Sequence, residues 1–135
     1  MIDLLVHSGA VLLTAWLFGG MLLFAAGFAA FLFRVLPVPQ ARSLIRQAFP
    51  PFYIFVMVTS GLAACLFMLW DHTNAALLAT IALTTLPTRQ VLMPAINHAT
   101  DQGLRARFVR LHGLSVVISL AHIALSGWVL VRVMP

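Results

Sequence analysis

The stretch LLVHSGAVLLTAWLFGGMLLFAAGFAAFLF, residues 4–33, runs for 30 positions without a charged side chain. A membrane helix needs roughly 20 apolar residues to cross about 30 Å of hydrocarbon, so this segment alone is long enough to span a bilayer. At about 1.5 Å per residue it is near 45 Å long and must tilt or protrude. It exceeds the core of a cleavable signal, and Asp3 stands where such a signal carries lysine or arginine, so it is expected to stay in the mature protein.

Three further apolar segments follow, at residues 52–70, 75–93 and 112–131, the third interrupted by Pro87 and Arg89. Of the 135 residues, 62% are hydrophobic and 8% charged, too few polar groups to cover a soluble domain. The expected fold is all-α: one integral membrane four-helix bundle over residues 1–135, with the lipid bilayer as its solvent.

The basic residues are eight arginines and the acidic ones Asp3, Asp71 and Asp101, a net charge of +5. The arginines lie between apolar runs and not along one stripe, which suits headgroups and argues against nucleic acid. Arg34, Arg42 and Arg46 follow the first span and Arg105, Arg107 and Arg110 precede the last, whereas Asp71-His72-Thr73-Asn74 has none. By the positive-inside rule both arginine loops are cytoplasmic and both termini outside, with Arg132 the exception; the expected location is a bacterial inner membrane. In residues 39–49, Ala41, Leu44, Ile45 and Ala48 share a face opposite Arg42 and Arg46, which predicts a short interfacial helix between the first two spans. Cys65, the lone cysteine, sits in an apolar run and reads as a small packing residue.

In the last span His112, Ser115, Ser119, His122 and Ser126 recur at alternating spacings of three and four, one narrow stripe that should face protein. Its expected partner is the row Thr80, Thr84 and Thr88 of the third span. Interhelical hydrogen bonding is the plain explanation. A polar path or ligand cavity is the sharper one, because an ionisable residue near the membrane centre, here His122, is a functional candidate. Arg89 either snorkels to headgroups or reaches this polar core. Gly20 and Gly27, two turns apart, predict close helix packing and a face through which copies could associate.

At the outer surface Asp3 and His7 share a helical face, and Asp71 and His72 occupy the loop. Two imidazoles and two carboxylates at one level suit copper or zinc, although polar helix ends explain them equally. A bis-histidine haem b site would need matched depths, and His7 and His122 differ by about 15 Å. His122 and His112 are the candidate histidines for a cofactor, with His98 and His112 near the inner face. The sequence holds no nucleophile–base–acid order, phosphate loop or nucleotide fingerprint, so no catalytic residue is assigned.

Gly20-Met21, Leu32-Phe33-Arg34-Val35-Leu36-Pro37, Ala48-Phe49-Pro50-Pro51-Phe52-Tyr53, Pro94 and Arg110-Leu111-His112-Gly113-Leu114-Ser115 together resemble the family of proteins similar to human transmembrane protein 205, whose bacterial members are filed as a membrane domain of unknown function. The resemblance implies a four-helix membrane domain and supplies no reaction. It marks Arg34, Pro37, Pro50, Tyr53, Pro94, His112 and Ser115 as motif positions. Ser119 and Thr88-Arg89-Gln90 depart from the asparagines usual in relatives. The His7-to-Trp16 pattern is also similar to copper-resistance membrane domains and the bacterial membrane protoporphyrinogen oxidase, a haem protein. The leading expectation is therefore a non-enzymatic accessory or small-solute module without a cofactor, acting as a homo-oligomer or within a larger membrane complex. Haem or copper and zinc handling is the alternative.

Overall fold

The computed structural model describes residues 1–134. Four helices, α1 (Ile2–Val35), α2 (Val38–Phe67), α3 (His72–Asp101) and α4 (Arg105–Val133), are each long and apolar enough to cross a membrane. Each packs on its neighbours in sequence and α4 closes back on α1, giving an up-and-down bundle. No strand occurs among the described residues.

Local chemistry sets the helix ends. Pro37 forces Leu36 into an extended conformation, and Pro39 sits in the first turn of α2, where its missing N–H costs nothing. Asp71 caps α3 by accepting the Asn74 N–H at 3.0 Å. Gly103, at φ +64°, ends α3: its N–H donates to Thr100 O and that of Leu104 to Ala99 O, a Schellman closure.

The core is made of Ala10, Leu17 and Met21 from α1, Val56, Ala63, Ala64 and Phe67 from α2, Ala75, Leu78 and Ile81 from α3, and Val129 from α4. Over their most apolar windows α2 and α3 bury 33% of residues and α1 and α4 only 17%, so the outer pair presents more surface to lipid. Cys65 is among the exposed residues of α2 and is not a packing residue.

Two further expectations need correction. The interfacial segment 39–49 is helical but not separate: it is the first part of α2, which continues through Pro50 and Pro51. Packing against α1 and α3 holds the helix together where the prolines remove two ladder bonds. The third span does not stop near Met93. Pro94 lacks an N–H and presses on the preceding turn, but a π-helical turn over Thr88–Leu92 widens the backbone there, and α3 runs on to Asp101. A second such turn, Leu23–Phe28, lies within α1.

The extended halves of α2 and α3 meet through Arg46, which donates to both carboxylate oxygens of Asp101 at 3.0 and 2.7 Å. These hydrogen bonds hold the Asp101 carboxyl below its usual range. A depressed folded pKa contributes stability above the ordinary carboxylate value, near 3.9, that is lost as pH falls through the folded value. In detergent, the stability difference between the native protein and Asp101→Asn should stay constant at neutral pH and shrink below about pH 4.

Glycine marks the tightest approach of α1 to α2. A Cβ at Gly20 would lie 2.7 Å from Cζ of Phe55, whose ring is braced by Trp16 at 5.5 Å, while Gly19 meets nothing within 4 Å. Gly27 faces only Leu23 of its own helix, and Gly127, which the spacing did not single out, faces Phe18 at 3.1 Å. Gly20→Ala should cost about 1–3 kcal/mol through overpacking and Gly19→Ala almost nothing, measured by thermal unfolding in detergent.

Candidate ligand sites along the bundle

The inward part of the polar stripe is short. His122 and Ser126 are buried, Ser115 and Ser119 half-buried and His112 exposed. The hydroxyls of Ser115, Ser119 and Ser126 donate to carbonyls of their own helix, those of His112, Ser115 and His122 respectively. From this stripe a bond to another helix joins Thr84 Oγ1 to His122 Nε2 at 2.8 Å. With its one hydrogen given to the Thr80 carbonyl at 2.6 Å, Thr84 Oγ1 accepts from His122 Nε2–H. On α3 the buried threonines are Thr85 and Thr88; Thr80 and Thr84 lie at the edge.

His112 does not share a site with His122. Its ring stacks on Phe108 at 5.3 Å, ten residues, or about 15 Å, along the same helix from His122. Nε2 of His122, the usual metal-facing nitrogen, is already engaged by Thr84.

The end of the bundle that bears the α2–α3 turn holds a recess of about 700 Å³ lined by His7, Ser8, Trp70, Asp71 and Arg132 with apolar neighbours. The His7 ring stacks on Trp70 at 3.9 Å, and its Nδ1–H donates to the Asp3 carbonyl at 2.8 Å. Arg132, the exception to the charge rule, donates from Nε to Asn74 Oδ1 at 2.9 Å and approaches Asp71 at 4.0 Å. Asn74 is fully buried and its Nδ2 has no partner. His72 instead meets Met68 Sδ at 3.2 Å. The structure thus does not gather Asp3, His7, Asp71 and His72: no three His, Cys, Asp or Glu side chains among the described residues are grouped to hold a metal ion. His7, Asp71 and His72 each meet a local partner instead. Asn74 and Trp70 escaped the sequence reading, although Asn74 follows Asp71 at capping distance; Arg132 stood out only as a charge in the wrong place.

At the arginine-rich end, Pro50 and Tyr53 of α2 and Arg89, Met93, Pro94 and Asn97 of α3 line a second cavity, of about 220 Å³. Arg89 is half-buried and makes no hydrogen bond to the His122 stripe; its Nε is buried without a hydrogen-bond partner. Of the other motif positions, Arg34 and Pro37 are exposed near the α1–α2 link.

The Thr84–His122 bond is open to a double-mutant cycle with Thr84→Val and His122→Ala. The expected coupling is about 1 kcal/mol in detergent unfolding, the size of one interhelical hydrogen bond in a membrane protein.

No curated protein and no solved structure matches the chain. The model of a domain of unknown function, DUF4149, matches residues 12–105, which take in most of α1, all of α2 and α3, and the whole inner cavity. With that share of its length matched, the chain belongs to the DUF4149 family.

Proposed function

We propose that the protein is a non-enzymatic module of a bacterial inner membrane, of the accessory or small-solute type, that receives a small polar solute in the recess beside His7, Trp70, Asp71 and Arg132. The recess carries the reading: at about 700 Å³ it lies within the roughly 300–1,000 Å³ that small-molecule sites occupy. It offers a carboxylate, a guanidinium and a stacked aromatic pair within one wall, a set suited to a zwitterion. The middle of the bundle supports binding over passage. Leu17, Ser60, Leu78, Ile81 and Ser126 are fully buried there, and the hydroxyls of Ser60 and Ser126 are spent on backbone carbonyls.

Movement of a solute across the membrane then calls for a second copy or a larger partner, for which the sparsely buried faces of α1 and α4 leave room. Within its family the chain reads as one of the transmembrane protein 205-like members. Three positions of that resemblance, Pro50, Tyr53 and Pro94, lie around one cavity.

Glycine betaine, a compact zwitterion, is the first probe. It should perturb the emission of Trp70 in the detergent-purified protein, saturably, and the response should vanish in Trp70→Phe. Asp71→Asn keeps a residue able to cap α3 and should weaken binding about tenfold by removing a charged partner. A monomeric protein that ignores the probe and copurifies with a stoichiometric prosthetic group absorbing in the Soret region would replace this reading with a haem protein.

A further inference from the structure

Arg89 presents the chain's one problem of charge within the membrane span. It lies twelve residues, about 18 Å, before the end of α3 at Asp101. The apolar stretch of α3 covers residues 75–93 and the helix runs on past it to Asp101, so Arg89 sits four residues, or about 6 Å, inside the end of that stretch. Arg89 is therefore rooted inside the apolar layer. A guanidinium carries five donors and keeps its charge at all relevant pH, so it needs acceptors where it sits.

The chain provides no carboxylate for it. Asp101, at the same end, is held by Arg46 through both oxygens. Asp71 faces Arg132 at the opposite end, and Asp3 lies in the first turn of α1, also at that end. Arg89 Nε has no hydrogen-bond partner although it is buried, a state that costs free energy unless an acceptor arrives.

A cavity lies where that acceptor would sit. It extends along α3 from Arg89 to Asn97, eight residues or about 12 Å, which carries it from the apolar layer toward headgroup level. Tyr53, 5% exposed, lines it from α2 and Asn97 from α3, residues whose side chains carry a hydroxyl and a carboxamide. Its volume of about 220 Å³ holds one oxyanion with some water, given about 30 Å³ per water in the liquid. The π-helical turn over Thr88–Leu92, between Pro87 and Pro94, carries Arg89 into this wall. Turns of that kind recur at functional sites.

We infer that the cavity between α2 and the π-helical turn of α3 binds a phosphate oxyanion, gripped by the Arg89 guanidinium and completed by Tyr53 and Asn97. Phosphate fits because a guanidinium fork matches two of its oxygens while others remain for hydroxyl and amide donors. The phosphate belongs either to an anionic phospholipid headgroup reaching in from the membrane edge or to a free phosphate. The site is separate from the recess of the proposed function and stands without it.

The test uses the full chain in dodecylmaltoside and reads thermal unfolding. Dioctanoyl phosphatidylglycerol is titrated against dioctanoylglycerol, and inorganic phosphate against chloride at equal ionic strength. One phosphate-bearing probe should stabilise the protein saturably above its control. A response to the phospholipid alone assigns the headgroup, and a response to inorganic phosphate assigns the free anion. Arg89→Gln should raise the half-saturating concentration about tenfold or more, whereas Arg110→Gln, an exposed arginine at the same end, should leave it unchanged. If Arg89→Gln does not fold, Arg89→Lys and Tyr53→Phe replace it, each with an expected weakening of about threefold or more. The proposal is overturned if neither phosphate probe exceeds its control, if the cavity variants bind like the native protein, or if Arg110→Gln loses as much as the Arg89 variant.

Discussion

The hydrocarbon of a bilayer offers no hydrogen-bond partner, and the organisation of this chain follows from that one constraint. Backbone groups are satisfied within four long helices. Side-chain hydroxyls meet the same demand locally: Thr14, Thr59, Ser60, Thr85, Thr88, Ser119 and Ser126 all donate to a carbonyl of their own helix. Polar residues therefore enter the core without forming a conduit through it. The imidazole of His122 takes Thr84 from the neighbouring helix instead.

Where helices rise beyond the hydrocarbon, the constraint relaxes and polar chemistry collects. The α2–α3 turn, the His7–Trp70 stack and the Asn74–Arg132 bond gather at one end. At the other, Arg46 and Asp101 tie together the extended parts of α2 and α3. That pair is exposed on both sides, so its role is closer to register than to stability. The two recesses described lie at these levels.

Hydropathy made the four spans legible, since a run such as residues 4–33 has no soluble explanation. Prolines misled the reading of two helix boundaries. Pro50-Pro51 and Pro94 look like helix ends in sequence, because a lone helix in water would break there; packing by neighbours and a π-helical turn carry α2 and α3 through. Gly103 was the truer stop signal for α3, and its position after Thr100-Asp101-Gln102 was visible. Along the polar stripe of α4 only His122 and Ser126 are buried, because periodicity reports a shared face and not how far along the helix a neighbour covers it. The outer residues were recognised as one group by level, yet level says nothing about rotamers: His7 turned to Trp70 and His72 to Met68, and no metal cluster formed among the described residues.

Comparing the two arginines nearest to polar pockets separates a structural charge from one that awaits a ligand. Arg132 breaks the charge rule, and the chain accommodates it with an amide oxygen at 2.9 Å and a carboxylate at 4.0 Å. Arg89 obeys the charge rule in lying nearer the arginine-rich end, but is rooted deeper and has no counter-charge from the chain. Had Arg89 been retained only to anchor the helix in headgroups, a chain that can extend several ångströms toward water would have no need of a cavity lined by Tyr53 and Asn97. Its Nε is buried without a hydrogen-bond partner, so that donor is withheld from water. A guanidinium so placed balances its charge only with something the chain does not contain, which makes the inner cavity the less self-sufficient of the two sites.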